Sequence, residues 1–139
     1  MPRLRILVAD ANSDIREAMR QVIQAIGADV HLMEARDGRE AMQTVLASRP
    51  HLLLADIKLA HLDTLTLVRH IKQRVPETRT IVLLTDDNKE YRAAAVRAGA
   101  CGVLPKQELG EDWIRVMIVL LLTGSETPCE MGNQQQNDT

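Results

Sequence analysis

Four side chains capable of chemistry stand where apolar runs end. Asp10 follows Ile6, Leu7, Val8 and Ala9; Asp56 follows Leu52, Leu53, Leu54 and Ala55; Thr85 follows Ile81, Val82, Leu83 and Leu84; Lys106 follows Val103, Leu104 and Pro105. An unpaired charge is costly to bury, so the acid-ended runs read as buried strands whose polar residue emerges at an open edge. Open α/β sheets place their chemistry at the carboxyl ends of their strands, and parallel strands would bring all four residues to one edge. There, two carboxylates offer hard oxygen ligands to a magnesium-like ion. A hydroxyl and an ammonium offer a donor and a positive charge to the oxygens of a phosphoryl group passing to a carboxylate. Any one of the four could instead cap a helix or begin a loop, but their recurrence at four strand ends favours a shared site.

The intervening segments supply the elements that such an edge needs. Asn12 or Ser13 can cap a helix with Ile15, Ala18, Met19, Val22 and Ile26 on one face, stopped by Gly27. A weaker strand spans Asp29 to Ala35, diluted by His31 and Glu34. Asp37 and Gly38 then open a helix carrying Ala41, Met42, Val45 and Leu46, which closes before Pro50. Asp63 or Thr64 can start a third helix, with Leu65, Val68, Ile71 and Val75 at helical spacing and Pro76 beyond its end. The strand from Thr80 to Thr85 is the clearest in the chain. An Ala-rich helix runs from about Lys89 to Ala98 and closes at Gly99, a short strand from Cys101 to Leu104 leads to Lys106, and a final helix covers about Glu108 to Thr123. Strands and helices alternating with ordinary crossovers predict an α/β fold, a doubly wound, mostly parallel five-stranded sheet with right-handed connections. Residues 1–123 are expected to form one domain, followed by a polar, disordered tail over 124–139.

Composition narrows the function classes. A chain of 139 residues with 45% hydrophobic content suits one domain with a sizeable core. A formal net charge of -2, with no Lys/Arg block and no aromatic platform, argues against direct nucleic-acid binding. Neither GxGxxG nor GxxxxGK[ST] occurs, so nucleotide binding has no support. The apolar run from Val116 to Leu122 is far shorter than the roughly 20 residues that span a bilayer, so no membrane role is expected. Cys101 and Cys129 lack metal-like spacing and the first residues lack a signal-peptide core, which makes a reducing cytoplasm the expectation.

The chain resembles the CheY-like receiver domain of bacterial two-component response regulators over roughly residues 3–123. The resemblance rests on Val8-Ala9-Asp10, on Leu54-Ala55-Asp56 with Asp63 seven residues on, on Leu84-Thr85, and on the stretch from Ala98 and Gly99 through Cys101 and Gly102 to Pro105 and Lys106. It implies strand order 2-1-3-4-5 and Asp56 as acceptor of a phosphoryl group from the phosphohistidine of a sensor histidine kinase or phosphotransfer protein. It also implies Mg²⁺ held by Asp10, Asp56 and the backbone carbonyl of Lys58, with Thr85 and Lys106 contacting the phosphoryl oxygens. Phosphorylation would then alter the surface of the fourth helix, fifth strand and fifth helix.

Several positions depart from that pattern. The family's second acid after the first strand is Ala11, which removes one anionic ligand and predicts weak Mg²⁺ binding unless water or the Asn12 side-chain carbonyl substitutes. The aromatic switch residue of the fifth strand is Val103, the Pro-Gly turn after the acceptor is Ala60-His61, and the Lys-Pro pair is Lys106-Gln107. A pseudo-receiver that binds partners without phosphotransfer is therefore the alternative. Seven consecutive apolar residues in the last helix exceed the one stripe that a helix on a sheet needs. With Trp113, Met117 and Leu120 on the sheet, Ile118, Leu122 and Ile114 are expected to face outward, into a homodimer through the fourth helix, fifth strand and fifth helix.

Overall fold

The computed structural model describes residues 4–26, 29–86 and 88–123. The elements are β1 (Leu4–Ala9), α1 (Ser13–Ile26), β2 (Val30–Ala35), α2 (Gly38–Ser48), β3 (Leu52–Asp56), α3 (Thr64–Arg74), β4 (Arg79–Leu84), α4 (Lys89–Ala98), β5 (Gly102–Pro105), a 3-10 turn (Lys106–Glu108) and α5 (Glu111–Thr123). All neighbouring strands are parallel, in the order β2-β1-β3-β4-β5. This is the doubly wound sheet predicted from the sequence. Strand ends differ from the expected ones by a single residue: β2 starts after Asp29, β4 ends before Thr85 and β5 starts after Cys101. The last helix starts three residues later than expected because Leu109 N–H donates to the Lys106 carbonyl at 3.0 Å, closing a tight turn first. The proposed tail over 124–139 lies outside the described residues.

Helix starts follow side-chain chemistry. Asp37 accepts the Glu40 N–H at 2.8 Å and Asp63 accepts the Thr66 N–H at 3.2 Å, each satisfying a donor that the first turn leaves free. Asn88 does the same for α4, and Gly99, at φ 116°, closes that helix in a backbone region that suits only glycine well.

Successive strand side chains point to opposite faces, and the core divides accordingly. Ile6, Val8, Leu52, Leu54, Ile81, Leu83 and Leu104 pack with α1 and α5. On the other face, Leu7, Ala9, Leu53 and Ala55 meet α2 and α3, while Val82, Leu84 and Val103 meet α4. One expectation fails here. Ile114, Met117 and Ile118 are all buried in the α1-side core, while Val116 and Val119 are 47% and 53% exposed. Residues 114, 117 and 118 stand at i, i+3 and i+4, which is one helix face. Ile114 and Ile118 therefore cover the sheet instead of facing outward. The Leu122 side chain lies outside the described ones.

Candidate functional site

Asp10, Asp56, Thr85 and Lys106 continue the strand positions 8, 54, 83 and 104, whose side chains all lie in the α1/α5-side core. One further step of two residues keeps each on that face, at the carboxyl edge. The result is a site with a charged centre. Lys106 Nζ lies 2.8 Å from Asp10 Oδ2 and 3.0 Å from Asp56 Oδ1. The carboxylates are nearly buried, with side chains 3% and 10% exposed, while the lysine, at 21%, sits at the rim. Neither of these two oxygens accepts a well-directed hydrogen bond, so the ammonium holds them by charge at short range. Burial pulls the lysine pKa down, but the two carboxylates outweigh it, and the value is raised above the ordinary one.

Asp10 is fixed by its neighbours. Its other oxygen, Oδ1, accepts the Asn12 N–H at 2.9 Å, and its backbone N–H donates to Ala35 O at 3.0 Å. The Arg16 guanidinium donates to the Asp10 carbonyl and also pairs with Glu34 at 3.1 Å, tying α1 to β2 beneath the site. Ala11 is exposed beside Asp10 and brings no oxygen from its side chain. The Asn12 side-chain carbonyl accepts the Asp14 N–H at 2.8 Å, so it serves the start of α1.

No side-chain hydrogen bond or ion pair is seen between the remaining expected residues and this cluster among the described residues. Thr85 is exposed, one residue past β4 on the same edge. Lys58 is exposed two residues beyond Asp56. His61, where the family has glycine, adopts φ 69°, a left-handed conformation that costs a non-glycine residue about 1 kcal/mol.

Sequence reasoning missed two supports. Arg16 gave no sequence signal beyond its place on α1. Thr64 gave one: with Leu67, Val68 and Ile71 it occupies i, i+3, i+4 and i+7, so it belongs to the inward stripe and its hydroxyl must find a partner. It is fully buried and donates to the Asp56 carbonyl at 2.7 Å.

Two converging carboxylates with under-satisfied oxygens fit Mg²⁺, which takes one or two carboxylates and fills its shell with water or phosphate oxygens. Among the described residues no group of three or more His, Cys, Asp or Glu could hold a metal, so the fit rests on these two acids.

An open α/β edge with this acid, acid and lysine arrangement defines a class of phosphoacceptor domains, and comparison with known proteins gives the family. The chain matches the Response regulator receiver domain over residues 6–118 and belongs to that family. It is 33% identical over 118 residues to the response regulator MprA of Mycolicibacterium vanbaalenii, covering 85% of this chain and 50% of that one. The chain thus spans about half the length of that relative. Among solved structures, the signal receiver domain of NarL from Mycobacterium tuberculosis superposes with a TM-score of 0.77 at 22% identity, covering 86% of this chain and 95% of that one. The isolated receiver domain of RcsB from Salmonella enterica, solved with the phosphomimetic BeF3-, gives 0.74 at 21%, covering 91% and 94%. At such identities these two likenesses establish the fold.

Proposed function

We propose that this receiver domain accepts a phosphoryl group on Asp56 from a histidine kinase or a phosphotransfer protein and signals through protein contacts. The observation that carries the reading is the convergence of Asp10 and Asp56 on one ammonium. Asp56 attacks the phosphorus of a phosphohistidine, an acyl-phosphate O–P bond forms as the P–N bond breaks, and the imidazole leaves with the electron pair. Lys106, already in contact with Asp56, offers positive charge to the transferring oxygens. Thr85 offers a hydroxyl from the same edge. Bound Mg²⁺, held by Asp10, Asp56 and the Lys58 carbonyl, would supply charge neutralisation at those oxygens. With Ala11 in place of a second acid, its affinity is weak. The test is intact mass after incubation with phosphoramidate and Mg²⁺. One phosphoryl adduct is expected on the wild type and none on Asp56→Asn, and an unmodified wild type beside a competent receiver control would defeat the proposal.

The pseudo-receiver reading draws on the exposed Thr85 and on Val103, packed in the α4-side core. Partner binding that is equal for the wild type and Asp56→Ala, and indifferent to phosphodonor, would favour it. A homodimer through α4, β5 and α5 draws on exposed Tyr91, Val116 and Val119. Sedimentation should then show a wild-type dimer that Val119→Glu dissociates, whereas Ile118→Glu would damage the core. No helix among the described residues is long and apolar enough to cross a membrane. A cytoplasmic place accords with such kinase partners.

A further inference from the structure

The loop after Asp56 is braced by a single buried hydroxyl. Thr64 Oγ1 donates to the Asp56 carbonyl at 2.7 Å and accepts the Leu59 N–H at 3.2 Å, and the residue is 0% exposed. The Leu59 N–H and the Lys58 C=O belong to one trans peptide plane, so an N–H aimed at Thr64 turns the Lys58 carbonyl the opposite way. The Asp56 carbonyl, held at the same oxygen, fixes the backbone from which the acceptor carboxylate projects. One side chain thereby sets two groups that flank the proposed chemistry.

The loop is also held from its far side. Gly38 N–H donates to the Ala60 carbonyl at 3.0 Å, and Leu62 N–H donates to the same carbonyl at 2.7 Å. A Cβ at Gly38 would lie 1.9 Å from the Leu62 carbonyl oxygen, so the loop rests directly on the first turn of α2. Between these two anchors lies Lys58, with little freedom left to its peptide.

We infer that Thr64 is a positioning residue of the phosphoacceptor site, one that orients Asp56 and the Lys58 carbonyl and so offsets part of the affinity lost at Ala11. The inference rests on the phosphoacceptor reading, and it predicts an effect on Mg²⁺ affinity that exists without phosphorylation. Removing an outer partner of a metal ligand typically weakens metal binding by about 10- to 100-fold.

The test compares wild type, Thr64→Val, which keeps the shape and removes the hydroxyl, and Thr64→Ser, which keeps the hydroxyl. Folding is read by thermal melting, and, well below the melting temperature, Mg²⁺ affinity is read by calorimetry, Leu59 amide exchange by NMR and adduct formation with phosphoramidate by intact mass. Thr64→Val should accelerate Leu59 exchange and weaken Mg²⁺ binding by roughly tenfold, with adduct formation slowed, and Thr64→Ser should match the wild type in all three. A Thr64→Val protein with a lower melting temperature but unchanged Mg²⁺ affinity and adduct rate would show a purely structural residue and overturn the inference. A wild type that binds no Mg²⁺ at high concentration would overturn it as well, because the Lys58 carbonyl would have nothing to serve. A wild type that binds Mg²⁺ yet takes no phosphoryl group would sink the phosphoacceptor reading instead. The calorimetric comparison would still decide for or against Thr64.

Discussion

The two halves of the carboxyl edge of the sheet are built to different standards. At the ends of β1, β3 and β5, Asp10 and Asp56 each lie within 3.0 Å of the Lys106 ammonium, and the buried Thr64 hydroxyl bonds the Asp56 carbonyl and the Leu59 N–H. At β4, Thr85 stands exposed on the same edge, and Val103 of β5 packs in the α4-side core. Arg92 of α4 donates to the Val103 carbonyl at 3.3 Å, and the Val103 side chain packs with Ala95 and Ala98 of the same helix. Under the proposed function, accepting a phosphoryl group and relaying its presence would be separable properties. The first needs charges at fixed distances, whereas the second needs an element with two arrangements.

The largest effect that would sharpen this contrast comes from Lys106. Lys106→Met leaves two nearly buried carboxylates facing each other, and allowing for the lysine's place at the rim, the loss of stability should be about 2 kcal/mol. Thr85→Ala should cost less than about 0.5 kcal/mol, as for a surface substitution. Melting with and without Mg²⁺ checks both, because bound metal should restore part of what Lys106→Met loses. Equal losses at the two positions would break the contrast. Next in size is Ala11→Asp, which should tighten Mg²⁺ binding by about 1–3 kcal/mol in calorimetry, since the new carboxylate joins a site that has two. An unchanged constant would mean that position 11 does not face the ion.

Two pH effects follow, both smaller. The lysine pKa is raised because its two carboxylate partners outweigh its burial. Its contribution to stability is thus complete below the ordinary lysine value of 10.5 and is lost as pH rises through the raised one. The alkaline limb of a stability profile should flatten in Lys106→Met. At the opposite edge of the sheet, His51 has its pKa lowered by burial first and then by Arg5 and Arg79. Its Nδ1 accepts the Arg5 N–H at 3.0 Å, a bond that requires an unprotonated nitrogen. That stabilisation is present above the ordinary value of 6.5 and is lost as pH falls through the lowered one. His51→Asn should flatten this acid limb while leaving Mg²⁺ binding untouched, because the residue lies at the far end of β3.

What the sequence could and could not announce follows from the physics of each element. β1, β3 and β4 announced themselves because four apolar residues ending in a polar one leave little else to form, and the shared edge followed from parallel order. The orientation of α5 was not legible, because seven consecutive apolar residues carry no period. Burial of Ile114 and Ile118 was decided by the sheet beneath them. The contact between Lys106 and both acids depends on neighbours brought together by strand order, β1 beside β3 and β5 two strands away. Thr64 was visible as a helix start, but its double hydrogen bond depends on where the loop from Ile57 to Asp63 folds back, which no local pattern encodes.

The proposed phosphoacceptor is Asp56 beside Asp10 and Lys106, and the side around Thr85 and Val103 is expected to relay its state poorly. Chemical-shift mapping with beryllofluoride and Mg²⁺ tests this claim most directly, since this phosphomimetic occupies an acceptor carboxylate without a kinase. Large amide shifts are expected at Asp10, at Asp56 through Leu59 and at Lys106, with small ones at Val103 and along α4, and no response in Asp56→Asn. No shift at Asp56 under saturating conditions would contradict the first half of the claim, and shifts at Val103 and α4 as large as those at Asp56 would contradict the second.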